Sequence, residues 1–266
     1  MSIPTPSDSI SSVSWLVPDW PLPPGVRCLI TTRHGGASAA PYDSFNLATH
    51  VGDAASAVAA NRARLAHQLP GEPVWLEQVH GVQVADADAY APGALPPCAD
   101  AAVARRAGVV CTVLTADCLP VLFCSADGRS VGAAHAGWRG LCAGVLEACV
   151  ARLEVPAAGV LAYLGPAIGP SAFEVGDEVR AAFLAHDAEA AACFLPGTAG
   201  KWFADLYALA RLRLARLGVV NVRGGGLCTY AERERFYSYR RDGAQSGRMA
   251  SLIWRELPAA MGRKDA

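Results

Sequence analysis

VVCTVLTADCLPVLFCSADGRSVGAAHAGWRG, residues 109–140, is the stretch whose reading decides the fold. It holds three short apolar runs, 109–115, 120–124 and 130–134, the first rich in β-branched residues, with Asp127-Gly128 marking a tight turn between the last two. The interruptions are too brief for crossover helices, so the pattern predicts hairpins and a mixed or antiparallel sheet rather than strict strand–helix alternation. From Gly140 the pattern turns helical, to about residue 153. Upstream, 26–32, 74–79, 82–85 and 99–104 read as strands. Asp53 is placed to cap a helix running to about 69, with Val58, Leu65 and Leu69 on one face and Pro70-Gly71 stopping it. Downstream, 160–164, 219–222 and 249–254 read as strands. Asp177 and Asp205 open two helices, the second stopped by Gly218. With no internal repeat and no linker, the prediction is one α+β domain over 25–258. Residues 1–24 are expected to drape over its surface, and 259–266 to form a short tail.

At 266 residues the chain can bury a substantial core, and a charged fraction of 18% argues against disorder outside the ends. A net charge of −1 provides no basic field for nucleic acid or anionic lipid, so a small polar ligand is the expected partner. The nine cysteines are odd in number and sit mostly among apolar neighbours, without C-x-x-C spacing. They read as thiols of a reducing compartment. The opening Met-Ser-Ile-Pro-Thr-Pro lacks the charge and apolar run of a signal peptide, and the apolar segment 109–124 is broken by Asp117 and Pro120. The expected location is cytoplasmic.

Reactive side chains cluster where strands end. His80 precedes Gly81, Cys118 lies two residues before Pro120, and His135 sits before Ala136-Gly137. Two imidazoles and a thiolate suit a borderline-soft divalent ion, zinc above all, and ligands spread over three loops suit a catalytic site with an open position. Taken singly, each has an ordinary structural reading, as a turn histidine or a core cysteine. Asp117 is open to two roles, orienting a ligand or moving a proton. Arg33, beside Gly35-Gly36, reads either as an anion contact or as a surface arginine at a tight turn. Arg139 offers a second anion contact or a structural ion pair, and Arg240-Arg241-Asp242 reads as a structural charge cluster.

The same residues carry a resemblance. T-T-R-H-G-G, P-Y-D-S-F-N-L-A-T-H-V-G-D, W-L-E-Q-V-H-G, T-A-D-C-L-P-V-L, G-A-A-H-A-G-W-R-G, L-G-P-A-I-G-P-S-A-F-E-V-G, K-W-F-A-D-L and F-Y-S-Y-R-R-D-G follow one another between Thr31 and Trp254. In these blocks the chain resembles the laccase-domain family of purine nucleoside phosphorylases, also described as polyphenol oxidase-like or peptidoglycan-editing-factor proteins. Its departures are small, Thr31-Thr32-Arg33 for the usual S-x-R opening and Phe236-Tyr237 for the paired aromatic. The resemblance implies α-β-β-α layers, similar in outline to cysteine-histidine deamidase toxins, with the family's zinc ligands on His80, Cys118 and His135. It also implies phosphorolysis of adenosine, inosine and methylthioadenosine, together with adenosine deamination. The candidate catalytic residues are then Arg33, Asp117 and Glu174. The candidate substrate- and phosphate-binding residues are Arg33, Asn46 and Arg139.

Three rival functions remain at this level. A copper oxidase would need many more histidines than six, although copper would bind the same three ligands adventitiously. A metal-free hydrolase acting on peptidoglycan precursors would use Cys118 as nucleophile and His135 as base. A partner-binding module would leave the ligand set unexplained. Nothing in the sequence sets the number of subunits.

Overall fold

The computed structural model describes residues 15–257, so the expected tail and residues 1–14 of the expected extension lie outside it. Two sheets face each other. The first has five strands in the order Trp15–Leu16, Val26–Thr31, Met249–Arg255, Val110–Thr115 and Pro73–Val74. Its pairings are antiparallel except at Pro73–Val74. The second has six, in the order Asn221–Gly224, Val160–Leu164, Leu119–Ser125, Val131–Ala136, Ala101–Ala104 and Val84–Asp86. It is antiparallel in the middle and parallel at both edges.

All seven residues of Leu119–Ser125 are buried, and the period of two explains why. Leu122 and Cys124 share the core between the sheets with Ile30, Cys111, Val113 and Ile253. Leu119, Val121 and Phe123 turn the other way, into a core with the helices Trp138–Ala143, Val145–Arg152, Asp177–His186 and Leu206–Leu217. The outer face of the first sheet, with Leu29, Val110, Leu114 and Leu252, packs against Leu65 of the helix Ala55–Ala66 and against Phe45 and Leu47 in the segment before it. The layers are therefore helix, sheet, sheet, helix. Each fully buried Leu, Ile or Phe contributes on the order of 1.5–3 kcal/mol.

Several expectations are corrected. Runs 109–115 and 120–124 are not a hairpin, because Val110–Thr115 belongs to the first sheet and Leu119–Ser125 to the second. Residues 116–118 carry the chain across, and Asp117 turns the corner at φ 85°. The hairpin of Leu119–Ser125 with Val131–Ala136 does form about Gly128. Gly144, at φ 106°, breaks the expected helix 140–153 into two. Asp53 does not cap the Ala55–Ala66 helix through its first-turn amides; its carboxylate accepts from the Ser38 hydroxyl at 2.6 Å and the Asn46 amide at 3.0 Å. Asp205 does cap its helix, accepting from Ala208 N–H at 3.0 Å. Nor do residues 15–24 simply drape. Trp15–Leu16 pairs with Thr31 and Ile30, and Trp20 is buried between the sheets against Tyr163. A small sheet of Glu174–Gly176, Lys201–Ala204 and Phe194–Pro196 completes the domain. No helix among the described residues is long and apolar enough to cross a membrane.

Candidate active site

The three metal-competent side chains converge at strand ends. Cys118 enters Leu119–Ser125, His135 lies near the end of Val131–Ala136, and His80 sits on the turn that leads toward Val84–Asp86. Their donor atoms lie within 4.8 Å of one another, and among the described residues this is the one His/Cys/Asp/Glu group so arranged. His80 Nε2 is 3.7 Å from Cys118 Sγ. An imidazole nitrogen and a thiolate on tetrahedral zinc stand about 3.5 Å apart, given bonds of about 2.0 and 2.3 Å. Gly137 shows how closely the site is fitted. A Cβ there would lie 2.6 Å from His80 Cδ2 and 3.1 Å from Cys118 Sγ.

Asp100, fully buried, ties two of the ligands together. Its Oδ1 accepts from His135 Nδ1 at 2.8 Å and from His80 N–H at 2.9 Å. Oδ2 accepts from Gly81 N–H at 2.6 Å and from Val79 N–H at 3.2 Å. These bonds hold His80 at φ 61°, a left-handed conformation that a non-glycine residue adopts only when its surroundings enforce it. A proton on His135 Nδ1, directed at Asp100, leaves Nε2 free as a ligand. Gln78 fixes the other side of the turn. Its amide accepts from Leu114 N–H and donates to Leu114 C=O, both at 2.8 Å, so a side chain continues the pairing where the expected strand 74–79 stops at Val74.

Electrostatics favour the ligand form of the thiol. Burial alone would push Cys118 up, but the His135 and His80 imidazoles more than reverse it and bring the thiol down to about 6. Cys28, Cys124 and Cys149 show the opposite, pushed up to about 12 by burial. At His135 burial favours the neutral ring, and the Cys118 thiolate and Asp100 overcome it to raise the group to about 9.

The centre opens on a cavity of about 980 Å³, at the upper end of the range for small-molecule sites. Trp138, Phe173 and Tyr239 line it, with Arg139, Arg240 and Arg248. None of these three arginines has a carboxylate partner among the described residues. Arg139 stacks on the Trp138 ring, 4.6 Å from its centroid. Arg240 donates to Glu174 C=O at 3.0 Å.

The remaining expected site residues are elsewhere or otherwise engaged. Arg33 does not line the cavity; its guanidinium donates to the Asp43 carbonyl at 2.9 Å, the Arg233 carbonyl at 3.2 Å and the Asp43 carboxylate at 3.2 Å. Three of its five N–H donors are thus committed to Asp43 and Arg233. Asn46 is fully buried, with both ends of its amide bonded within the protein. Asp117 reaches the cavity wall, but its carboxylate accepts from the Thr229 hydroxyl at 2.6 Å, the Ser238 hydroxyl at 3.0 Å and Arg240 N–H at 2.6 Å. That is a positioning arrangement, without a free oxygen poised to move a proton. Glu174 lies on the small sheet, bonded to Thr198 at 3.1 Å and away from the cavity lining. Arg241 is structural as expected, donating to the carbonyls of Thr229, Tyr230 and Phe236. Its neighbour Arg240 is not merely that, because it lines the cavity. Sequence reasoning missed Asp100, His50, Arg248 and Glu77. Glu77 lines the cavity, and its carboxylate has no hydrogen-bond partner among the described residues. The one available signal for Asp100 was an acid inside the apolar run 99–104.

Fold and site together define a mixed-sheet α+β protein with a potential two-histidine, one-cysteine metal centre at an open cavity. Residues 27–256 match the family model described as multi-copper polyphenol oxidoreductase laccase, and the chain belongs to that family. It is 55% identical to a purine nucleoside phosphorylase of Pseudomonas aeruginosa over 242 residues, covering 91% of this chain and 98% of that protein. It is likewise 55% identical to purine nucleoside phosphorylase YfiH of Escherichia coli (strain K12), covering 90% and 98%. A crystal structure of a Neisseria meningitidis protein superposes with a TM-score of 0.87 at 53% identity, covering 91% of this chain and 99% of that one.

Proposed function

We propose that this chain is a zinc-dependent purine nucleoside phosphorylase acting on adenosine, inosine and methylthioadenosine, and that it deaminates adenosine at the same site. The observation that carries the reading is the convergence of His80, Cys118 and His135 at a cavity walled by arginines without counter-ions, in a chain 55% identical to proteins named purine nucleoside phosphorylase. His80, Cys118 and His135 would hold the zinc, which would supply Lewis-acid chemistry at the cavity.

Phosphorolysis requires an anion beside a sugar that becomes cation-like as the glycosidic bond breaks. The arginine wall, with Arg139 among it, meets that demand. Trp138, Phe173 and Tyr239 provide aromatic surface for a purine and exclude water from it. The departing base takes up a proton from solvent, and the Glu77 carboxylate at the cavity edge can accept a hydrogen bond from a purine N–H. Copper would bind the same donors by affinity, and metal analysis of protein made without added copper distinguishes the two. The functional test is product analysis with each nucleoside, with and without phosphate. Free base and (methylthio)ribose 1-phosphate are expected only with phosphate, and inosine is expected from adenosine without it. No free base from any of the three, with zinc-loaded protein and phosphate present, would overturn the phosphorylase reading.

A further inference from the structure

The segment Phe45 to His50 contacts the cavity only at its end, through Thr49 and His50. Asn46 shows what the rest of it does. Its Oδ1 accepts from Arg248 N–H at 3.0 Å and from Ala48 N–H at 3.0 Å, and its Nδ2 donates to Ala48 C=O at 3.1 Å and to Asp53 at 3.0 Å. Leu47 N–H donates to Arg248 C=O at 3.4 Å. One buried amide thus fixes the main chain of Arg248 and the start of the segment that presents His50.

Arg248 itself is incompletely satisfied. Its Nη1 donates to the carbonyls of Ser246 at 2.5 Å and Gly247 at 3.0 Å, and its Nε and Nη2 have no hydrogen-bond partner among the described residues. No carboxylate pairs with it among the described residues, although it is half-buried and burial pulls its pKa down. The groups whose charge acts on it are Cys118, Asp117, Tyr239 and Tyr42, the Tyr239 ring lies 5.8 Å away, and Arg248 lines the same cavity as the metal ligands. The carboxylate of Asp117 is already engaged by Thr229, Ser238 and Arg240. His50 adds no compensation. Its pKa is lowered by burial and by the charges of Arg248 and Arg62. A half-buried guanidinium without a counter-ion costs free energy that an anion from solution would offset.

We propose that Arg248, positioned by Asn46 and flanked by His50, is the binding residue for inorganic phosphate in this cavity. The proposal rests on the phosphorylase reading for its ligand. The unpartnered Nε and Nη2 form the edge of the guanidinium fork that meets two oxygens of a tetrahedral oxyanion, while Nη1 anchors the group to the protein. It gives Asn46 a role in phosphate binding without contact, and removes Arg33 from that role.

The test uses the full zinc-loaded chain, with inorganic phosphate as the probe, read by titration calorimetry and by the phosphate dependence of inosine phosphorolysis. Arg248→Ala is expected to raise the phosphate Kd and KM by about 30-fold or more while zinc content and the KM for inosine stay at parent values. Arg248→Lys keeps the charge and loses the fork, so an intermediate loss is expected. It also serves as the second variant if Arg248→Ala does not fold. Parent phosphate affinity in a folded Arg248 variant would overturn the proposal, as would the absence of saturable phosphate binding to the parent protein. If phosphate binds through Arg248 but no nucleoside is cleaved, the subsite stands and the phosphorylase reading falls. If cleavage proceeds with a phosphate dependence indifferent to Arg248, the reverse holds.

Discussion

On the floor of the cavity one buried carboxylate, Asp100, fastens the turn carrying His80 and the ring of His135. In its wall, Arg240 and Arg248 are each fastened separately, to the main-chain carbonyls of their own surroundings. The difference sets how each part fails. Removing Asp100 strands three backbone N–H groups and an imidazole at once, whereas removing a wall arginine strands one or two main-chain carbonyls. The floor should break as a unit, and the wall by degrees.

The largest effect is therefore expected at Asp100. Asp100→Ala should destabilise the fold by about 3–5 kcal/mol and weaken zinc binding by about 10–100-fold. Chemical denaturation and competition with a chelator measure the two. A variant matching the parent in both would show that the floor is not organised by this carboxylate. Burial alone would raise the Asp100 carboxyl, but the bonds from His135, Gly81 and Val79 hold it below its ordinary value. A depressed folded-state pKa contributes stability that is complete above about pH 4 and lost as pH falls through the lower folded value. Asp100→Asn should accordingly be less stable at neutral pH and lose less on acidification than the parent.

The smallest effect is expected at Arg33. Its ion pair is made with an Asp43 side chain that is 56% exposed, so screening leaves it worth little. The Arg33 side chain is itself only 14% exposed and also holds two carbonyls, so Arg33→Ala should cost about 1–3 kcal/mol of stability and leave both zinc content and the KM for phosphate unchanged. A rise in phosphate KM equal to that of Arg248→Ala would erase the distinction between the two arginines.

The contrast also marks what could be read from the sequence. His80, Cys118 and His135 were legible because each interrupts an apolar run beside a glycine or proline, where a reactive group has little else to do. The layers were implied by the family resemblance, whereas the residues themselves gave the apolar run 120–124 as a strand and the helix between Asp205 and Gly218 by its cap and stop. Arg33 misled because a guanidinium fork beside two glycines serves carbonyls and phosphate alike, and the carbonyl of Arg233 arrives from 200 residues away. Asp53 and Asn46 misled in the same way, as polar residues whose partners lie across the fold. Arg248 carried no local signal, since its importance lies in the partners it lacks. The small sheet at 174–204 was missed because strands of three or four residues leave no periodicity to read.

The central claim is that a zinc ion on His80, Cys118 and His135 serves the nucleoside reaction. The most direct test is to strip the purified parent protein and Cys118→Ala with a chelator, restore zinc stepwise, and follow metal content and inosine phosphorolysis in the same samples. The account predicts about one zinc per parent chain, phosphorolysis returning in proportion to it, and neither in Cys118→Ala. Full zinc occupancy in Cys118→Ala, or parent-rate phosphorolysis by the stripped protein, would contradict it.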